Sequence, residues 1–277
     1  MSERAETRAD ERVPAAESER WLPRPSLRFL PVWRRNLRVW RKLIWPSLLG
    51  HFGEPVLYLL AFGYGLGELI GQLDSGMPYI VFIASGIVCS SAMFTSSFEA
   101  LYSAYTRMET QQTWAAMLGA PLSVDDIVLG EAIWAASKSL LSAGAIGVVA
   151  VGLGILSLPG MLLALPVVFL ASLAFASMAL IVTALSPSYD FFLYYFTLLL
   201  TPMLLLSGVF FPIEQLPTPV AALAYLLPLA HMVEVVRPLA VGAGLPPGAL
   251  LHLLVPVLYV AGAFSVASYL FRRRLLR

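Results

Sequence analysis

Two ionisable residues stand where apolar runs leave little room for them. Glu54 lies about ten residues into the run beginning near Leu43, and Lys138 about ten into the run beginning near Ile127. A charge at mid-bilayer costs about 2.5–3.5 kcal/mol on insertion scales, so each must face a partner or water. Their matched depth suggests a Glu54–Lys138 pair, either as a polar lining of a transport path or as a clasp between two helices. Glu99 and Glu131 fall near the inner ends of their runs, where they could reach the interface.

Other chemistry is scarce. A phosphate-cradling Walker loop ends in Gly-Lys-Ser/Thr. The only lysines are Lys42 and Lys138, and neither follows a glycine, so this chain holds no ATP site. Gly63-Tyr64-Gly65-Leu66-Gly67 lacks the spacing of a dinucleotide loop, and its Gly63/Gly67 pair reads as a small-residue packing face. His51, His231 and His252 are far apart in sequence and lack partners at zinc spacing. Cys89, the single cysteine, lies in an apolar run and reads as a small core hydrophobe. No pair of aspartates has the spacing of a membrane phosphotransferase. The expectation is a non-catalytic chain with no metal or cofactor of its own and no nucleic-acid partner.

The elements that carry these residues are set by composition. The 277 residues are 58% hydrophobic and only 13% charged, with mean hydropathy +0.78. A soluble domain is about a quarter charged; so few ions leave lipid to cover most of the surface. Six apolar runs approach the ~20 residues needed to span a bilayer: roughly 43–67, 78–102, 127–156, 161–185, 191–211 and 250–271. Turn chemistry separates them at 68–76, Ser157–Gly160, Ser186–Asp190 and Leu245–Gly248, and Ser123 with Asp126 forms a capping box opening the third. Residues 212–244 are broken by five prolines, and predict two short re-entrant helices, Val220–Leu227 and Ala230–Val236. Irregular backbone at that depth must pack on protein or water.

Basic residues orient the chain. Of 18 Lys and Arg, eleven precede residue 45 and four follow the last run; Arg107 lies between runs two and three, Lys138 within run three, and Arg237 between runs five and six. With both termini cytoplasmic, sixteen lie inside and one outside, which fits an even number of spans. Before the first span, Trp33, Leu37 and Trp40 recur on one side of a helical repeat. Arg34, Arg35, Arg38, Arg41 and Lys42 fill the rest. This is an amphipathic helix at the membrane surface, apolar side in lipid and basic side toward anionic headgroups. Residues 1–23 mix acids and arginines with no apolar core and read as a disordered cytoplasmic tail. The fold class is thus all-α integral membrane: six spans, an interfacial helix, and two re-entrant helices between spans five and six.

Residue patterns along nearly the whole chain, from Val32 to Arg277, resemble a family. They are Trp33-Arg34-Arg35-Asn36 with Arg41-Lys42, Tyr58-Leu59 through Gly65-Leu66-Gly67, and Phe98-Glu99-Ala100-Leu101-Tyr102. Arg107-Met108-Glu109 with Thr113–Met117, Asp126–Glu131 with Trp134–Lys138, and Leu185–Asp190 follow. Last come Leu206-Ser207-Gly208 with Phe211-Pro212 and Leu216-Pro217, Pro228-Leu229, Arg237-Pro238-Leu239 and Arg272–Arg277. The chain resembles the type-2 ABC exporter permeases, and among them those that export nodulation factors.

The resemblance implies one transmembrane domain over 24–277 in a bacterial inner membrane, paired with a second copy of itself. It implies a separate ABC ATPase, of the kind serving nodulation-factor exporters, which holds ATP and Mg. The loop 103–125 would sit in a groove of that ATPase, with Arg107, Glu109, Trp114, Met117 and Leu118 as its contact; membrane-interface anchoring is the other role open to Trp114. A lipid-linked oligosaccharide would leave between spans one and five, past Glu54, Tyr58, Lys138, Phe191, Phe192, Tyr194 and Tyr195. The aromatic run could stack on sugar rings or simply pack in the core. Export of another amphipath, such as a drug or polysaccharide-lipid, and a lipid-modifying membrane enzyme are the alternatives.

Overall fold

The computed structural model describes residues 20–42, 53, 56–57, 59–73 and 76–276. Among these the chain is helical throughout, apart from an isolated bridge between Gln72 and Pro78. Helix α1, Phe29–Arg41, comes first. A π-helical turn, Ala61–Leu66, runs into the short helix Gly67–Ile70. Then follow α2 (Tyr79–Thr110), α3 (Thr113–Leu118), α4 (Val124–Gly152), α5 (Leu158–Leu185), α6 (Phe191–Leu206), α7 (Thr218–Ala224), α8 (Pro228–Ala240) and α9 (Ala249–Leu275).

Four of these, α2, α4, α5 and α9, are long and apolar enough to cross a membrane. They match the second, third, fourth and sixth apolar runs. The fifth run forms α6, which is shorter, and the chain turns just beyond it at Gly208, where φ is +74°. About half of the first run lies outside the described residues, as do most of the expected tail and both Glu54 and Tyr58. The proline-rich stretch forms two short helices, α7 and α8, bent by 84° at their junction. Pro228 opens α8, where a missing amide proton costs nothing. The pair counts as a fifth crossing only if taken as one broken span.

Helix α5 is central, packed by α2, α4, α8 and α9. Its buried small residues, Ala164, Ala171, Ser172, Ala176, Ser177 and Ala179, let neighbouring backbones come close, which is how helices associate where lipid competes equally for apolar contact. At Gly160 the approach is closest: a Cβ there would meet the Leu239 carbonyl oxygen at 1.9 Å.

Side-chain and backbone bonds define two ends of the bundle. At one end, Arg274 donates from Nη1 to the carbonyls of Thr183, Ala184 and Ser186 at 2.9–3.1 Å, closing the open C-terminus of α5. Arg272 pairs with Asp125, and Trp21 stacks on Tyr269 at 4.2 Å. At the other end Ser157 N donates to Ala240 O (2.8 Å) and Tyr79 Oη to Phe210 O (3.2 Å). Residues 20–42, the α2–α4 connection and the C-terminal arginines therefore share one end. The Gln72–Pro78 bridge and the α7–α8 pair share the other.

Candidate functional site: a buried charge network behind the α2–α4 connection

Glu131, Trp134 and Lys138 follow one another at i, i+3 and i+7 and so share a face of α4. That face meets α2, where Ser91, Glu99 and Ser103 continue a polar seam; Ser91 Oγ and Ser142 Oγ lie 2.8 Å apart further along it. The end of α2 is not plain α-helix. Glu99–Ser103 and Thr106–Thr110 are π-helical turns. Residues eight apart in an α-helix differ by about 80° in direction. Wider turns absorb part of that offset, and Arg107 comes round onto the side of Glu99.

The result is a chain of alternating charges. Lys138 Nζ lies 2.8 Å from Glu99 Oε2, Arg107 Nη1 lies 3.0 Å from Glu99 Oε1, and Arg107 Nε donates to Glu131 Oε1 at 3.0 Å. Neutral donors complete both carboxylates. Glu99 accepts from Trp134 Nε1 (2.8 Å) and Ser103 Oγ (2.9 Å). Glu131 accepts from Asn36 Nδ2 (3.2 Å) and Trp114 Nε1 (3.3 Å). Glu99 and Glu131 are 2% and 1% exposed, so neither reaches the interface as the sequence suggests. Burying such charges is tolerable only with pairing and hydrogen bonding this complete.

The network joins α1, α2, α3 and α4 at one point. Helix α1 packs on α4 because Gly130 admits Val32: a Cβ at Gly130 would stand 2.6 Å from Val32 Cβ. This corrects the expected lipid-facing side of α1. Trp33 Nε1 donates to Ser137 Oγ (3.0 Å), and Trp40 meets Trp134 edge-on, so both tryptophans turn toward protein. Arg34, Arg38, Arg41 and Lys42 are exposed and Arg35 is half-buried. Its Nη1 donates to Asn36 Oδ1 (3.0 Å) and its Nη2 to Thr113 Oγ1 (3.3 Å).

The connection itself is folded inward. Gln112 adopts φ +50° and swings α3 so that Trp114 is fully buried, 4.8 Å from the Phe271 ring. Arg107 faces the network, and Glu109 takes Arg274 Nη2 at 2.7 Å. Met117 and Leu118 are half-buried against the core. The surface of this connection is instead Gln111, Gln112, Ala115, Ala116, Gly119, Ala120 and Pro121.

The aromatic run of α6 divides. Phe192 and Tyr195 are buried, Phe192 against Tyr102 and Tyr105 at 5.0 and 5.3 Å. Phe191 and Tyr194 are 42% and 61% exposed on the outer side of the helix. Lys138 pairs with Glu99 in the charge network, whereas Phe191 and Tyr194 face outward from α6. Two further groups escaped the sequence. His231 and His252, distant in the chain, approach Nδ1 to Nδ1 at 3.0 Å. Arg237 lies over the Phe82 ring at 3.6 Å and bonds Ser85 Oγ and Gly208 O. The positions of the histidines along the helices that bring them together carried no signal. The Glu131, Trp134, Lys138 stripe did.

A helical bundle with four helices long and apolar enough to cross a membrane, two bent short helices near one end and a paired charge cluster at the other is the architecture of a multi-pass membrane protein. Residues 29–240 match the family model of the ABC-2 type transporter, and the chain belongs to that family. It is 45% identical over 256 residues to Nodulation protein J of Rhizobium leguminosarum bv. viciae, covering 92% of this chain and 98% of that protein. It is also 45% identical over 255 residues to Nodulation protein J of Rhizobium meliloti (strain 1021), covering 92% and 97%. To the inner membrane transport permease YadH of Escherichia coli (strain K12) it is 25% identical over 241 residues, covering 85% and 88%.

Proposed function

We propose that this chain, over residues 24–277, is the membrane-spanning half of an ABC exporter for a lipid-linked oligosaccharide of the lipochitooligosaccharide type. Two copies pair in the bacterial inner membrane, and a separate ATPase subunit binds ATP and Mg. The carrying observation is the 45% identity to Nodulation protein J along 92% of this chain and nearly the full length of the relative. An identity so high and so continuous argues for a shared cargo class, whereas YadH at 25% supports only the transport role.

The geometry is consistent with a coupling route. The exposed rim Gln111–Gln112, Ala115–Ala116 and Gly119–Pro121 is the part free to meet an ATPase. Behind it Trp114 and Arg107 hold Glu131 and Glu99, which lie on α4 and α2. Movement of the rim would be carried to two spanning helices through rigid ionic contacts, not through a loose loop. The basic residues at the rim's end of the bundle support a cytoplasmic position for that end, with α7–α8 as re-entrant helices toward the outer surface.

The test is reconstitution. Vesicles holding this chain and its ATPase should move a lipochitooligosaccharide in an ATP-dependent manner, and vesicles lacking either should not. Transport of a drug-like amphipath in preference to the oligosaccharide would favour the broader exporter reading.

A further inference from the structure

Between α1 and the charge network lies a cavity of about 230 Å³. Its walls include Arg35 from α1, Ser103 and Arg107 from α2, and Lys138 from α4, with Val39 and Trp40 at the α1 side. Three cations and one carboxylate, Glu99, face it. Glu131, behind Arg107, is the other carboxylate of the network. Three cations therefore stand against two carboxylates, and the surplus is Arg35, whose bonds go to neutral acceptors on Asn36 and Thr113. Burial and the nearby Arg107 guanidinium lower the pKa of Arg35, against a smaller upward pull from Glu131. A guanidinium keeps its proton in a protein, so Arg35 stays a cation beside Arg107 and would gain from an anionic partner.

We propose that this cavity binds the phosphate group of an anionic membrane phospholipid. The chemistry fits a phosphate: Arg35 offers a planar donor fork, Lys138 has donors beyond its one bond to Glu99, and Ser103 adds a hydroxyl. The source fits a lipid more than a soluble anion. The cavity is lined on one side by α1, whose Arg34, Arg38, Arg41 and Lys42 are exposed and belong at headgroup level. Val39, an exposed apolar residue of α1, also lines the cavity, and acyl chains would lie along it. Basic pockets between helices on the cytoplasmic side are suited to anionic headgroups. Lipid bound here would brace α1 against α2 and α4 at the point where the network converges.

The experiment uses the purified full-length chain in detergent, titrated with phosphatidylglycerol, phosphatidylcholine or inorganic phosphate, with bound lipid counted by native mass spectrometry. Phosphatidylglycerol is expected to bind and phosphatidylcholine to bind much less. Arg35→Gln should weaken phosphatidylglycerol binding about tenfold, as for one lost charge-assisted hydrogen bond. Arg35→Lys should retain most of it. Arg34→Gln removes the same charge from the exposed side of α1 and should change binding less than about twofold, as expected for an exposed, screened charge. Equal losses in Arg34→Gln and Arg35→Gln would overturn the proposal, since binding would then belong to the whole basic surface. So would equal binding of phosphatidylcholine, or displacement of the lipid by inorganic phosphate at comparable concentration. Arg35→Gln and wild type should unfold at the same temperature in lipid-free detergent; a lipid-independent loss of stability together with no rescue by Arg35→Lys would also overturn it.

Discussion

Replacing Arg107 by Gln should test the charge network directly. In the intact site Arg107 contacts both Glu99 and Glu131, and the four charges Glu99, Arg107, Glu131 and Lys138 sum to zero. Arg107→Gln leaves Glu99 with Lys138, Trp134 and Ser103, but leaves Glu131 with only the neutral donors Asn36 and Trp114. Stranding one member of a buried pair costs about 3–5 kcal/mol. That is about a hundredfold to several thousandfold in the folded-to-unfolded ratio, a large share of a typical total of about 5–15 kcal/mol. Glu131→Gln alone leaves Arg107 with the single carboxylate Glu99, which Lys138 also claims, and should cost less. Arg107→Gln with Glu131→Gln restores neutrality while the Glu99–Lys138 pair survives. The double variant should therefore be more stable than the sum of the single effects predicts, by about 1–3 kcal/mol of coupling. Thermal unfolding of purified protein in one detergent, together with folded yield, measures all four corners of the cycle. Strictly additive effects would refute the idea that Arg107 and Glu131 depend on each other.

Further expectations follow from the same contacts. Lys138→Met should destabilise by stranding part of the charge on Glu99, and adding Glu99→Gln should recover part of the loss in thermal unfolding; no recovery would deny their pairing. Trp114→Ala empties a fully buried site and should cost about 3–5 kcal/mol, whereas Ala116→Asp on the exposed rim should weaken capture of the ATPase with no shift in unfolding temperature. Gly160→Ala drives a Cβ into the Leu239 carbonyl and should abolish folded yield, while Gly144→Ala, with nothing within 4 Å of its Cβ, should be neutral. With Cys89 replaced, single cysteines at Gln112 and Leu276 should be shielded from an impermeant thiol reagent in intact cells, and one at Gly244 should be labelled; labelling at Leu276 from outside would reverse the topology.

The long helices were legible because a spanning helix needs only length and apolarity, and Pro, Gly and Ser-rich turns mark its ends. The capping box at Ser123 and Asp126 forms as its spacing predicts. The amphipathic α1 was legible as a helix, but not its docking on α4. That depends on Gly130 meeting Val32 across about a hundred residues. The partner of Lys138 could not be chosen from depth alone. Glu99 sits farther toward the end of its run, and the long lysine side chain reaches back to it; Glu54, the expected partner, lies outside the described residues. Trp114 read as an exposed anchor because a tryptophan in a polar connection has two uses, and only the left-handed turn at Gln112 decides that it points inward. The His231–His252 approach depends on how α8 folds back onto α9, which no local pattern encodes.

ATP-dependent movement of cargo by this chain with its ATPase tests the proposed function most directly. Inside-out vesicles containing both subunits should accumulate labelled lipochitooligosaccharide in their lumen when ATP and Mg are supplied. They should fail to do so when the ATPase is omitted or when Ala116→Asp breaks its contact. Accumulation by vesicles holding this chain alone, or at the same rate without ATP, would contradict it.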